Sequence, residues 1–303
     1  MITDAVTVQT PASTSNCGPG FDVLGIALSL YNYVRVQAAE AHVVRYSGDG
    51  DMPEASIKMV EQAARLFFKT VGIEAHGLSF DIWGQIPIAR GLGSSSTLRA
   101  GIVAGLNAIH GNPLDKDGLA NAVCQLDHSP DNTCPLVHGG FCVARTDSRN
   151  GRYLFTLKHP VATDVRFVVI SPENRVLTDD ARAVLPEKLP FKDAVRSINS
   201  VATIVSIFAA QKYSLLENAI TDFIHHPYRG KLNPFFVEAV RAGRNAGAWN
   251  GWLSGSGSSG LCICPESVAK EVASEMASIF EQAQVQSQRF ILEADNDGLK
   301  LVS

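Results

Sequence analysis

The sequence predicts an α+β protein of two domains, and three observations carry that expectation. The chain has 303 residues, enough for two domains of ordinary size. Both halves mix strand patterns with helical stripes, rather than alternating strand and helix as a doubly wound sheet does. Lys158-His159-Pro160 reads as a linker between them, which places an N-terminal unit at 1–159 and a C-terminal unit at 160–303.

The elements follow in order. Val6 and Val8 alternate with polar neighbours, as in a strand, and Pro11 is expected to end it. The stretch 24–36, apolar and in parts β-branched, reads as a second strand. In "DMPEASIKMVEQAARLFFKTVG", Asp51 stands at an N-cap with Glu54 three residues on. Ile57, Val60, Ala64, Phe67 and Val71 then form a helical stripe, which Gly72 stops. Leu78, Phe80 and Ile82 alternate with Ser79 and Asp81 as a strand. Leu98, Ile102, Leu106 and Ile109 share one helical face. In the second half, 165–170 is strongly β. Ile198, Val201, Val205 and Phe208 form one helical stripe, and Leu216, Ala219, Ile220 and Phe223 another. "GAWNGWLSGSGSSGLCIC" reads as strand, glycine turn, strand. A last helix is expected over 267–283 and a last strand over 289–293.

Composition narrows the function. Hydrophobic residues make up 46% and charged residues 18%, as in a globular protein with ample core. Net charge is −4 with no Lys/Arg run, so nucleic acid and anionic membrane surfaces are not expected partners. The six cysteines (17, 124, 134, 142, 262 and 264) form no CxxC pair and no zinc pattern. They read as buried thiols of a reducing cytoplasm, with Cys262 and Cys264 on one face of a strand. "MITDAVTVQTPAS" has neither a positive n-region nor an apolar h-region, so no signal peptide is expected. No apolar run reaches the roughly 18 residues that span a bilayer.

Three Gly/Ser loops and one polar cluster carry the chemistry. "PIARGLGSSSTLRAG" lies between a strand and a helix N-terminus, where unpaired N–H groups and the helix dipole favour an anion. It lacks the Gly-Lys-Ser/Thr of a Walker A loop and the third glycine of a dinucleotide fingerprint. A phosphate cradle and a Ser-capped helix after a flexible turn both fit it. "PASTSNCGPGFDVLG" contains a Gly-Pro-Gly turn, and a turn also accounts for Asn16. It does not account for Asp22, a carboxylate among apolar residues that needs a cation or donors; a substrate amino group is one such partner. "LSGSGSSG" fits a hairpin turn. "LDHSPDNTCPLVHGGF" gathers Asp127, His128, Asp131 and Asn132 around Pro130. Asp131 reads as a turn cap and His128 as a solvated neighbour.

In this order, the loops resemble those of the GHMP small-molecule kinases, and within them the homoserine kinase family. "PASTSNCGPGFDVLGIALSLYN" is close to that family's opening. "PDNTCPLVHGGF" resembles its Asp-Asn-Val-Ala-Pro-x-x-x-Gly-Gly segment, and "TDDARAVLP" and "HHPYRGKLNPFF" resemble its two arginine segments. The resemblance implies an S5-like N-terminal domain and a ferredoxin-like C-terminal domain with the active site between them. It implies ATP and Mg²⁺, L-homoserine as the alcohol, a step towards threonine, a cytoplasmic location and a homodimer. Pro87, Ile88, Ala89, Arg90, Gly91, Leu92, Gly93, Ser94, Ser95, Ser96 and Thr97 would wrap the triphosphate, and Ser56 would stand near the adenine. Ser95 would meet Mg²⁺, with Asp127 in the place of the family's metal-binding Glu. Asn16, Asp22 and Asn132 match the residues holding the amino-alcohol end, and Arg182 and Arg229 the pair gripping the carboxylate. Asn132, Asp22 and Arg229 are the groups expected at the reacting atoms. Without the resemblance, the two arginines would read as surface charges. The match runs nearly end to end, with departures. Asp127-His128-Ser129 replaces Glu-Gly-His, and Ser96, Thr97, Leu98 and Arg99 follow the loop where small residues are usual. Gly255-Ser256-Gly257-Ser258-Ser259 replaces Gly-x-Gly-Pro-Thr, and Ser56 replaces Asn. These departures leave two alternatives: a kinase for another small hydroxylated carboxylate, and a catalytically weak nucleotide-binding homologue.

Overall fold

The computed structural model describes residues 5–47, 54–127 and 129–302. Two sheets organise it. The first contains β1 (Ala5–Ser15), β2 (Leu24–Ala38), β3 (Val43–Tyr46), β4 (Leu78–Gly84), β5 (Phe141–Thr146), β6 (Tyr153–His159) and β11 (Lys300–Val302). Its order is β11-β1-β2-β4-β3, with β5 joining β2 and β6; among the described residues only the β3–β4 pair is parallel. The second is antiparallel, in the order β10-β7-β9-β8, from β7 (Val165–Pro172), β8 (Asn250–Leu253), β9 (Gly260–Pro265) and β10 (Ser287–Leu292). One face of the first sheet carries α1 (Glu54–Val71), α2 (Ser94–Ile109), α3 (Lys116–Asp127) and α4 (Pro130–His138). The second half adds α5 (Thr178–Ala183), α6 (Phe191–Ala210), α7 (His226–Arg229), α8 (Phe236–Asn245) and α9 (Ala269–Gln282).

Three apolar layers follow. Val8, Val34, Phe67, Phe80 and Ile102 are buried between the first sheet and its helices. Ile26, Phe141, Phe167, Phe208 and Trp252 form a layer that joins the two halves. Val168, Ile170, Ala239, Met276 and Phe280 lie between the second sheet and α8 and α9. β7 is nearly all buried because its alternate residues serve two layers, Phe167 and Val169 one, Val168 and Ile170 the other. β9 does the same, and Cys262 and Cys264 share the outer face as expected. All six cysteines are free and buried.

Several expectations are corrected. β1 does not stop at Pro11; it passes through with a register shift between Pro11 and Ala12, which accommodates a residue without an N–H. The α6 stripe is misjudged. Ile198 is 68% exposed, while the buried face runs through Ser197, Ser200, Ile204, Ile207 and Phe208. The serines face inward because they bond the next segment: Ser200 donates to the Ala219 carbonyl and accepts from Thr221 N–H. That segment, expected to be helical, is a 3₁₀ turn over 213–218 followed by irregular chain. The strand over 289–293 is not the last, since β11 returns to pair with β1. Asp51 and His128 lie outside the described residues.

Candidate active site

The glycine loop before α2 is bent by three left-handed residues, Ala89, Gly91 and Gly93, with φ of 57°, 75° and 74°. Gly93 is the N-cap of α2, so Ser94 and Ser95 open the helix with their N–H groups outside its hydrogen-bond ladder. The loop is gripped from behind. Leu92 carbonyl accepts from Ser13 N–H at 3.2 Å, and Thr97 Oγ1 donates to Ser94 carbonyl at 2.8 Å. The second glycine loop, between β8 and β9, is a hairpin as expected, and it also lies on the first. Ser254 Oγ donates to Gly91 carbonyl at 2.7 Å, and Ser259 N–H to Arg90 carbonyl at 3.2 Å.

The loop opens on a cleft of about 620 Å³. Ile88, Ala89, Arg90, Gly91, Gly93, Ser94, Ser95 and Ser96 line it; Pro87 does not, and Leu92 and Thr97 are fully buried behind the loop. Ser56 lines the same cleft, as do Tyr46 and Trp83. Asn16, Asp22, Asp127, Asn132, Arg182 and Arg229, far apart in sequence, line it too.

Asp127 ends α3 against the first turns of α2. Its carboxylate accepts from Ser96 Oγ and pairs with Arg99, and the two side chains are 6% and 14% exposed. Arg99, which the sequence marked only as a departure, is thus the guanidinium that balances Asp127. Asn132, in the first turn of α4, accepts from Ser13 Oγ at 2.9 Å. Asp131, expected as a turn cap, lies inside instead. It is 2% exposed, lines the cleft, and its Oδ1 has no hydrogen-bond partner among the described residues. Burial first, and then the charge of Asp22, raise its pKa to about 7.

The N-terminal loop supplies the other wall. Asn16 Nδ2 donates to Gly255 carbonyl at 3.0 Å, and its Oδ1 accepts from Asp22 N–H at 3.1 Å. Asp22, expected to await an ammonium, is held in a two-point pair by Arg182 at 2.9 and 3.0 Å. Arg229 is no surface charge: it is 3% exposed and donates to Ala181 and Gly255 carbonyls, both at 3.0 Å. Both guanidiniums lie over the Phe21 ring, Arg229 at 4.9 Å and Arg182 at 5.4 Å. Burial, and then the charge of Arg182, lower the Arg229 pKa to about 10, with Asp22 opposing. For Arg182, burial pulls the pKa down, but the Asp22 bonds and charge outweigh it and hold it up.

The cleft thus has an anion-ready helix terminus at one end and paired guanidiniums with carboxylates at the other. That suits a phosphate donor facing a small zwitterionic acceptor.

Known proteins agree. The family models "GHMP kinases N terminal domain" and "GHMP kinases C terminal" match residues 58–140 and 204–282. The homoserine kinase of Caldanaerobacter subterraneus subsp. tengcongensis is 32% identical over 98% of this chain and 95% of its own length. That of Carboxydothermus hydrogenoformans is 36% identical over 87% of this chain and 86% of its own. The crystal structure of homoserine kinase from Cytophaga hutchinsonii matches with a TM-score of 0.89 at 27% identity, covering 100% of this chain and 98% of that one. With two family models in register and end-to-end relatives above 30% identity, the chain belongs to the GHMP kinases, in the homoserine kinase family.

Proposed function

We propose that this chain transfers the γ-phosphoryl group of ATP to the hydroxyl of L-homoserine, giving ADP and O-phospho-L-homoserine for threonine biosynthesis. The observation that carries this is the shared cleft. The Gly93-capped start of α2 faces the same 620 Å³ space as Arg182, Arg229 and Asp22. Phosphoryl transfer passes through a loose transition state, so the protein's part is positioning and charge stabilisation. In this reading the N–H groups at Ser94 and Ser95 hold the phosphates, and Ser56 stands by the adenine. Arg229 and Arg182 grip the carboxylate, and Asn16 and Asn132 orient the amino-alcohol end. Because Arg182 already engages Asp22, Asp131 is the second carboxylate offered to the ammonium.

Hard oxygen donors at the phosphate end suit Mg²⁺. Ser95 is exposed to the cleft, and the Asp127 carboxylate, bonded to the adjacent Ser96, lines it too, so these two would hold the ion. When bound, Mg²⁺ neutralises phosphate charge. Arg99 and Ser96 keep Asp127 in place and share its charge. That same sharing favours a second reading, a catalytically weak nucleotide-binding homologue. A kinase for another small hydroxylated carboxylate stays the alternative within the first.

We also propose two units, 1–159 and 160–303, with 300–302 returning to the first sheet. A cytoplasmic location is supported by the six buried free thiols. No helix among the described residues is long and apolar enough to cross a membrane. The homodimer is a proposal from family resemblance, read by light scattering. Phosphorus NMR of a reaction with ATP, Mg²⁺ and L-homoserine tests the function. A new phosphomonoester signal matching O-phospho-L-homoserine is expected, and ATP left intact contradicts the reading.

A further inference from the structure

A buried polar cluster behind the carboxylate end is not used by the chemistry above. Asp222 Oδ1 accepts from Ile224 and His225 N–H at 2.6 and 3.2 Å, and Oδ2 from His226 N–H at 2.9 Å. The carboxylate thus fixes the entry to α7, whose last residue is Arg229. His225 is 0% exposed, and its Nε2 lies 2.8 Å from Gly18 carbonyl in the N-terminal loop. A carbonyl accepts only from a protonated nitrogen, so His225 carries its proton on Nε2. Leu253 N–H, where β8 ends and the glycine hairpin begins, donates to His226 Nε2 at 3.1 Å. That leaves the His226 proton on Nδ1, which lies 3.5 Å from Asp222 Oδ2.

Both rings face Asp222 Oδ2, His225 Nε2 at 3.2 Å and His226 Nδ1 at 3.5 Å, while their backbone contacts diverge. His225 ties α7 to the loop that carries Asn16, Phe21 and Asp22, and His226 ties it to the hairpin that carries Gly255. Those are the same two walls that Arg229 meets, through the Phe21 face and the Gly255 carbonyl. His225 also closes the path from the other side. Its carbonyl accepts from Arg229 N–H at 2.8 Å, and its ring lies 5.6 Å from that of Phe21. Burial lowers the pKa of both rings, that of His226 to about 3, which keeps its Nε2 available to accept from Leu253 N–H.

We propose that Asp222, His225 and His226 are positioning residues for Arg229. They lock the short helix that carries it between the N-terminal loop and the glycine hairpin, and so set where its guanidinium meets the substrate carboxylate. This rests on the reading of Arg229 as a carboxylate ligand. The three side chains also have the geometry of a metal triad, with one ligand atom each within 4.8 Å of the others. The hydrogen bonds speak against a metal centre, because Asp222 Oδ2 and His225 Nε2 already serve backbone groups.

Steady-state kinetics on the full chain test the proposal. His225→Ala should raise the homoserine KM about tenfold, with the ATP KM held within about twofold. His225→Gln should restore most of the loss, since its amide N–H can reach Gly18 carbonyl. Should His225→Ala fail to fold, Asp222→Asn serves: it keeps one of the two acceptor oxygens for the backbone N–H groups, sets an NH2 in place of the other and drops the charge facing both rings, and the homoserine KM alone should rise. Both KM values rising together, no change in either, or no rescue by Gln would overturn the proposal. So would stoichiometric zinc in the purified protein that Asp222→Asn abolishes, because the cluster would then be a metal centre. Arg229→Ala in the same assay separates the two levels. If it leaves the homoserine KM unchanged, the carboxylate reading has failed; if it raises that KM and His225→Ala does not, only the positioning role has failed.

Discussion

Replacing Gly93 with Ala strikes the phosphate end at its narrowest point. Gly93 holds φ at 74°, where a residue with a side chain pays about 1–2 kcal/mol. A Cβ there would also collide with Ser13 Oγ, which donates to Asn132 at 2.9 Å. Turning Ser13 away breaks that bond, for about 1 kcal/mol more. The sum is about 2–3 kcal/mol, against a typical domain stability of about 5–15 kcal/mol, so the chain remains folded. Nucleotide binding suffers more directly. A hydrogen bond to a charged group is worth about 1.5–3 kcal/mol, so misaligning one N–H of the helix terminus weakens ATP about ten- to hundredfold. Titration calorimetry with ATP and Mg²⁺ reads the affinity, and urea unfolding reads the stability. If stability falls by the stated amount while ATP affinity stays at the wild-type value, the N-terminus of α2 is not the phosphate cradle.

Further predictions address the other groups. Arg182→Ala and Arg229→Ala should each lower kcat/KM for homoserine about ten- to hundredfold and leave ATP affinity unchanged. Equal losses with homoserine and with 3-aminopropan-1-ol, which lacks the carboxylate, would remove both arginines from that role. Asp131 has a folded pKa of about 7 against 3.8 for a free Asp side chain, so the folded chain holds its proton longer, and stability should fall as pH rises between those two values. Asp131→Asn should flatten that slope in urea unfolding across the range, and an unchanged slope would assign it to other groups. Asp127→Asn should nearly abolish turnover, with partial recovery in excess Mg²⁺; equal activity of variant and wild type at limiting Mg²⁺ would favour the weak-homologue reading. Arg99→Met takes the guanidinium away from the nearly buried Asp127 carboxylate, and should cost about 3 kcal/mol in unfolding free energy.

The architecture was legible where a pattern had one interpretation. Leu78, Phe80 and Ile82 alternate, and they do form β4, buried as expected. Leu98, Ile102, Leu106 and Ile109 do lie along α2, although nearly all of that helix is buried, so the stripe understated its depth. Pattern failed where polar atoms took apolar places. Ser197 and Ser200 outrank Ile198 on the buried face of α6 because the irregular chain beside it needs hydrogen-bond partners, and hydrophobic periodicity does not register that need. At the site, motif resemblance brought Asn16, Asp22, Asn132, Arg182 and Arg229 to one cleft from positions more than two hundred residues apart. It could not show that Arg182 engages Asp22, because an ion pair between distant segments leaves no local mark. Asp131 was missed for a related reason: beside Asn132 and after Pro130 it looks like a turn residue, and only the packing of α4 reveals its burial. Arg99 carried a visible signal, a cation where small residues are usual, and the shortened Asp127 was its counterpart.

The central claim is that one cleft brings ATP to the hydroxyl of an amino acid held by its carboxylate. Coupled measurement of ADP release tests it most directly, with L-homoserine set against 3-aminopropan-1-ol, galactose and mevalonate under identical ATP and Mg²⁺. The account predicts turnover with L-homoserine at a kcat/KM at least about tenfold above each other alcohol, the discrimination expected from a lost charged hydrogen bond. Equal rates with and without homoserine, or a preference for an alcohol lacking the α-amino acid group, would contradict it.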